Sequence, residues 1–243
     1  MVYSLELYAL RHIIRLLLQN HAFPLTSLSY SEYAANKLME LVKHQQGLLC
    51  FTGATGSGKS TSLYSLIHYC STELNRHVIS LEDPVENNQA NLLQIQVNER
   101  AGVTYATGLK AILRHSPDVI MIGEIRDKET AKIAIEASLT GHLVVSTIHA
   151  KDSVNCLFRF IDLGISVEEL RQTVVGIVAQ TLFQSTIIQE ERRALFEILS
   201  DVQLQMAIKA IMQKTSYQLP HELTLAGQKE IIESHHYANT KAY

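Results

Sequence analysis

The chain has 243 residues, enough for one large domain or one and a half. Hydrophobic residues make up 47% and charged residues 19%, the balance of a folded globular protein, and a formal net charge of -3 excludes a large basic field drawing the whole molecule to nucleic acid. Three scattered cysteines, Cys50, Cys70 and Cys156, form no C-x-x-C pair. That argues against a disulfide framework and a cysteine zinc site, and makes a reducing cytosol the simplest compartment.

Residues 1–20 (MVYSLELYALRHIIRLLLQN) are apolar but interrupted by Glu6, Arg11, His12 and Arg15. They are too charged for a spanning helix or a signal-peptide core, and read as an amphipathic folded segment that fits either a strand or a helix. In 31–46, Ala34, Leu38, Leu41 and Val42 share one helical face, and Gly47 ends the pattern. The run GLLCFT (47–52) reads as a buried strand and KSTSLYSLIHYCSTEL (59–74) as a helix.

Between them lie Gly53, Ala54, Thr55, Gly56, Ser57, Gly58, Lys59, Ser60 and Thr61, which fit the P-loop pattern G-x-x-x-x-G-K-[ST] in full. Glycines let the backbone curl until successive N–H groups converge on a phosphate, and the helix N-terminus adds partial positive charge. In such a loop Lys59 reaches the β- and γ-phosphates, and the Ser60 hydroxyl holds Mg²⁺.

Further along, HVISL (77–81) reads as a strand, and Leu93, Ile95 and Val97 alternate with Gln94 and Gln96 as in a half-exposed strand. A helix is expected over 104–115 despite Gly108, a buried strand over 118–122, a helix over 128–139 closed by Gly141, and a strand over 142–147. Strands alternating with helices imply an α/β fold with a mostly parallel sheet covered on both faces. Beyond residue 150 the pattern turns mostly helical. Ser166 and Glu169 form a capping box for a long helix over 167–183, a second helix covers 202–213, and the polar end from Ser234 is expected to fray.

Four polar clusters follow consecutive expected strands, at the sheet edge where α/β proteins bind ligands. They are the P-loop, Glu82-Asp83-Pro84-Val85-Glu86, Gly123-Glu124-Ile125-Arg126-Asp127, and Ser146-Thr147-Ile148-His149. Phosphoryl transfer to water needs a triphosphate cradle, a metal, a group that orients water, and a cation for developing charge. Carboxylates at strand ends beside a P-loop supply the metal and water roles. Arg126 and Asp127 suggest a local structural pair.

The strings GATGSGKST (53–61), SLEDPVE (80–86), LRHSPDVIMIGEIRD (113–127) and GHLVVSTIHA (141–150) resemble the Walker A, Asp box, Walker B and His box of the secretion and type IV pilus ATPases, in that family's order. The resemblance implies a RecA-like P-loop NTPase core at 31–152, preceded by a remnant of an N-terminal domain plus linker at 1–30, and followed by a mostly helical subdomain at 153–243. It implies that Glu82 polarises the attacking water, that Glu124 supports Mg²⁺, and that His149, with His142, contacts the γ-phosphate side. It also implies ATP and Mg²⁺ as cofactors, a hexameric ring, an inner-membrane platform protein as partner, no direct nucleic acid, and a place at the cytoplasmic face of the membrane.

The departures refine that expectation. Relatives usually carry a further domain whose arginines clasp a neighbour's nucleotide, whereas this chain begins about fifty residues before the P-loop. Ser116 and Thr181 replace a usual acidic residue and a usual arginine. The four-cysteine zinc insertion and the Ala-Ile-Arg-Asn motif of retraction motors are absent from the sequence. An assembly motor of a competence-type pilus or a type II secretion pseudopilus is the expected function. The alternative is a nucleotide-binding structural subunit with weak turnover. A GTPase lacks support because there is no Asn-Lys-x-Asp motif, and a helicase because there is no basic run.

Overall fold

The computed structural model describes residues 22–89, 92–184 and 192–240, with side chains to residue 234. The amphipathic N-terminal segment expected over 1–20 lies outside the described residues.

A single turn, α1 (Leu25–Leu28), precedes α2 (Glu32–Leu41), whose N-terminus is capped by the Ser31 side chain accepting from the Ala34 N–H. The helix ends at Leu41, short of the expected residue 46, and Arg76 takes up the carbonyls that follow it, donating to Val42, Lys43 and His44 at 2.7–2.8 Å. Next come β1 (Gly47–Thr52), α3 (Lys59–Thr72), β2 (Val78–Glu82) and β3 (Leu93–Gln96), close to expectation. The helix α4 (Tyr105–Ile112) does contain Gly108: a Cβ there would approach Leu81 Cδ1 to 2.8 Å, so the glycine lets the helix sit directly on β2. Then follow β4 (Val119–Ile122), α5 (Lys128–Leu139), β5 (Leu143–Thr147) and α6 (Ser153–Asp162).

The expected helix over 167–183 is corrected by the structure. Helix α7 (Val167–Thr173) starts with the Ser166/Glu169 capping box, but the chain then becomes strand β6 (Val174–Phe183), paired with β7 (Arg193–Ser200). The run VVGIVAQTLF is rich in β-branched residues, and Gly176 has no room for a Cβ between Leu41 and Leu49. A helix α8 (Asp201–Met212) follows, and α9 (Leu225–Thr240) has helical backbone as far as Thr240, within the segment from Ser234 that was expected to fray.

The sheet has seven strands in the order β3-β2-β4-β5-β1-β6-β7. All neighbours are parallel except β6 and β7. Strands β6 and β7 therefore extend the same sheet past residue 152. One face packs Leu48 and Cys50 of β1 against α4 to α8, and the other packs Leu49 and Phe51 against α1 to α3. Because strands β1, β2, β4, β5 and β6 run the same way, their C-terminal ends share one edge.

Candidate nucleotide site

A cleft of about 450 Å³ lies at that edge, lined by the P-loop, Glu82 and the loop that follows it to Glu86, the turn after β4, His149 and Leu182. The four clusters read from the sequence do converge here. A second cavity, about 500 Å³ between α2, β7 and α9, contains none of their residues.

The P-loop connects β1 to α3. Gly58 stands at the N-cap of α3 with φ 85°, and offers no side-chain cap. The first backbone N–H groups of a 14-residue helix are thus left facing the cleft, as an anion site requires. Lys59 Nζ donates to the carbonyls of Gly53 and Ala54, both at 2.9 Å. Burial lowers the pKa of this ammonium and the nearby Glu124 raises it in part. The lysine is thus held folded against its own loop, within the cleft a phosphate would enter.

Glu82 is 3% exposed at the end of β2, and both its oxygens are engaged. Oε1 accepts from the Ser80 hydroxyl at 2.6 Å and from Gln94 Nε2 at 3.1 Å, and Oε2 accepts from the Tyr64 hydroxyl. Burial and this carboxylate together push the Tyr64 phenol well above its ordinary pKa. Glu82 and Glu86 both line the cleft, but Glu82 is buried whereas Glu86 is exposed. Tyr105, on the cleft wall, is pushed up to about 12 by burial, with Asp83 adding to the effect.

Glu124, its side chain 15% exposed, accepts from Arg126 Nε at 2.7 Å and stands 3.1 Å from His149 Nε2. The Arg126 pKa rises through that bond. The expected Arg126–Asp127 pair is not formed: Asp127 caps α5, accepting from the Thr130 N–H and hydroxyl. The turns carrying Glu124 and His149 are pinned by Thr147 Oγ1 to the Gly123 carbonyl at 2.7 Å, and by Thr52 Oγ1, which bonds both the N–H and the carbonyl of Ala150.

His142 is corrected. It precedes β5 and sits at the opposite sheet edge, its Nδ1 3.2 Å from the Ala137 carbonyl at the end of α5. The strand between it and the cleft is five residues, about 17 Å long. Sequence reasoning missed Gln180, whose Nε2 donates to the Ser57 carbonyl at 2.9 Å from β6. It lay inside the run taken for a helix, so the signal available was only an amide in an otherwise apolar stretch.

The Ser60 hydroxyl and the Glu124 carboxylate line the same cleft. They are hard oxygen donors, and no group of three or more His, Cys, Asp or Glu that could hold a metal occurs among the described residues. That donor set suits Mg²⁺, which takes one or two protein oxygens and fills its shell with phosphate and water.

The family model for "Type II/IV secretion system protein" matches residues 7–242. The competence protein ComGA of Bacillus subtilis (strain 168) is 49% identical over 170 residues, covering 70% of this chain and 48% of ComGA. Type II secretion system protein E of Pseudomonas aeruginosa is 44% identical over 176 residues, covering 71% and 34%. The crystal structure of the pilus retraction motor PilT with bound ADP is similar at TM-score 0.70 and 30% identity, covering 82% of this chain and 62% of that one. The chain spans about half or less of the length of these two curated relatives. With the family model covering nearly its whole length and the four polar clusters gathered at one sheet edge, this chain belongs to the type II/IV secretion system protein family.

Proposed function

We propose that the chain is the ATP-hydrolysing core of a motor that assembles a competence-type pilus or a type II secretion pseudopilus. The observation that carries this reading is the convergence of Lys59, Glu124, His149 and the Asp83–Glu86 loop on one cleft at the C-terminal strand edge. The relatives named for competence and type II secretion support the biological assignment.

In this reading the P-loop N–H groups and Lys59 receive the phosphates, and the ammonium leaves the Gly53 and Ala54 carbonyls for them. Ser60 and Glu124 would hold Mg²⁺, which would supply positive charge against the phosphates. His149 hydrogen-bonds Glu124 and faces the γ-phosphate side. The water-orienting role, expected at Glu82, is better suited to Glu86. Glu82 has both oxygens bonded in a buried cluster, whereas Glu86 is exposed in the cleft. Glu82 then anchors the loop that carries Glu86.

The further assignments rest on the family: a homo-oligomeric ring, an inner-membrane platform protein as partner, and a place at the cytoplasmic face. Among the described residues no helix is long and apolar enough to cross a membrane. We place a functional boundary near residue 152, with the nucleotide groups before it and elements for coupling after it, although one sheet spans both.

Phosphate release measured with wild-type protein and Lys59→Ala tests the chemistry. Mg²⁺-dependent turnover lost in Lys59→Ala is expected, and turnover at the wild-type rate in that variant rejects the site. Deleting the gene tests the biology: loss of surface pili and of DNA uptake is expected, and hyperpiliated cells point to retraction instead.

A further inference from the structure

We propose that Gln180 is a positioning residue for nucleotide binding, its buried side-chain amide setting the direction of the Gly58 N–H at the crest of the P-loop. The proposal rests on the reading of that loop as a nucleotide cradle.

Gln180 is 2% exposed and lies one residue past Ala179, which pairs with Thr52 at the end of β1. It therefore sits beneath the point where the P-loop departs. Three contacts join it to the loop. Its backbone carbonyl closes the space at Gly53, where a Cβ would come within 2.4 Å. Its Nε2 stands 3.0 Å from the Cβ position of Gly58. The same nitrogen donates to the Ser57 carbonyl at 2.9 Å.

The third contact has a stereochemical consequence. In a trans peptide the C=O of one residue and the N–H of the next point in opposite directions. Drawing the Ser57 carbonyl down toward β6 therefore turns the Gly58 N–H away from β6. Ser57 is buried while Gly58 lines the cleft, so that N–H faces the side a phosphate would occupy. A merely space-filling role does not explain an amide here. Gln180 Oε1 is buried with no hydrogen-bond partner, a cost that a methionine at 180 would not carry. The amide is accounted for by the one bond it donates.

The test uses the full chain, a fluorescent ADP analogue, and ATP turnover, with wild type, Lys59→Ala, Gln180→Met and Gln180→Glu. Gln180→Met removes the donor at nearly constant volume. The expected result is about tenfold weaker ADP binding, with the loss larger in KM for ATP than in kcat, because the Gly58 N–H contacts phosphate in ground and transition states alike. Gln180→Glu carries its own switch. Ionised, it presents only acceptors to the Ser57 carbonyl; protonated, it regains a donor. Its affinity deficit relative to wild type should be about thirtyfold or more at pH 8 and shrink to below about fivefold at pH 6, since burial favours the protonated acid. Wild-type affinity for ADP in Gln180→Met, or a Gln180→Glu deficit that is the same at both pH values, overturns the proposal. Thermal melting accompanies each arm. If Gln180→Met does not fold, the two pH values of Gln180→Glu decide within a single protein. If wild type binds ADP no better than Lys59→Ala, the cradle reading itself has failed and the proposal falls with it.

Discussion

The Tyr64 hydroxyl, on the helix that begins at the P-loop, donates to the buried carboxylate of Glu82 at the end of β2. The same hydroxyl accepts from the Asn87 N–H at 3.3 Å. One phenol thus joins the P-loop helix, the acidic strand end and the loop beyond it, which makes the two halves of the cleft a single mechanical unit. Tyr64→Phe deletes that link with little change of shape and leaves one oxygen of a buried carboxylate short of its donor. A loss of about 1–3 kcal/mol in unfolding free energy is expected, read from the urea midpoint. A variant with the wild-type midpoint would mean that the hydroxyl is not a structural tie.

Glu82 and Glu86 should separate cleanly on substitution. Glu82→Gln replaces an acceptor that serves Tyr64, Ser80 and Gln94 with an amide that clashes with at least one donor, so it should lower the melting temperature and slow turnover together. Glu86→Gln changes an exposed side chain on the cleft rim. It should leave the melting temperature unchanged and lower ATP turnover by about 10²-fold or more. The opposite pattern, full stability in Glu82→Gln with abolished turnover, returns the water-orienting role to Glu82.

What was legible in the sequence follows from how local each signal is. Strands β1, β2, β4 and β5 are short apolar runs, each ended by a polar cluster, so their type and ligand-binding edge could be read directly. The run 174–183 offered no such cue. A continuous apolar segment fits a buried strand or a buried helix, and what makes it a strand is pairing with β1 on one side and β7 on the other, information held elsewhere in the chain. The two histidines show the same limit. His142 and His149 belong to one motif string, yet a strand lies between them and sends them to opposite edges. Gln180 is a P-loop contact only through folding, because it stands 123 positions along the chain from Ser57.

Gly108 sets helix propensity against packing. In an exposed helix Gly→Ala gains about 1 kcal/mol. At position 108 the added methyl would meet Leu81 Cδ1 at 2.8 Å and Cδ2 at 3.1 Å, and Leu81 is fully buried under α4. Overpacking of this kind costs about 1–3 kcal/mol, so Gly108→Ala should be neutral to destabilising by up to about 2 kcal/mol. A stabilised variant in chemical denaturation would show that α4 can lift from β2 at no cost. Adding Leu81→Val as a second substitution should recover part of the loss.

The last expectation concerns a buried carboxylate away from the cleft. Glu197, on β7 and 5% exposed, accepts from the Ser153 N–H at 3.0 Å and its hydroxyl at 2.6 Å, and from the Leu225 N–H at 3.2 Å. Ser153 opens α6 and Leu225 opens α9, so the carboxylate meets two helix N-termini, whose partial positive charge offsets the cost of burying it. Helix α6 begins just after the turn that carries His149. Glu197→Ala should therefore loosen that turn as well as the α6–α9 junction, with about 2–4 kcal/mol lost from stability. Glu230 gives the contrast: it pairs with His221 at 2.8 Å, but both side chains are largely exposed. Glu230→Ala should change stability by less than about 1 kcal/mol. Unfolding midpoints for the two variants decide the matter. If they shift equally, the two helix ends are held by their packing and the Glu197 carboxylate contributes no more than a solvated surface charge.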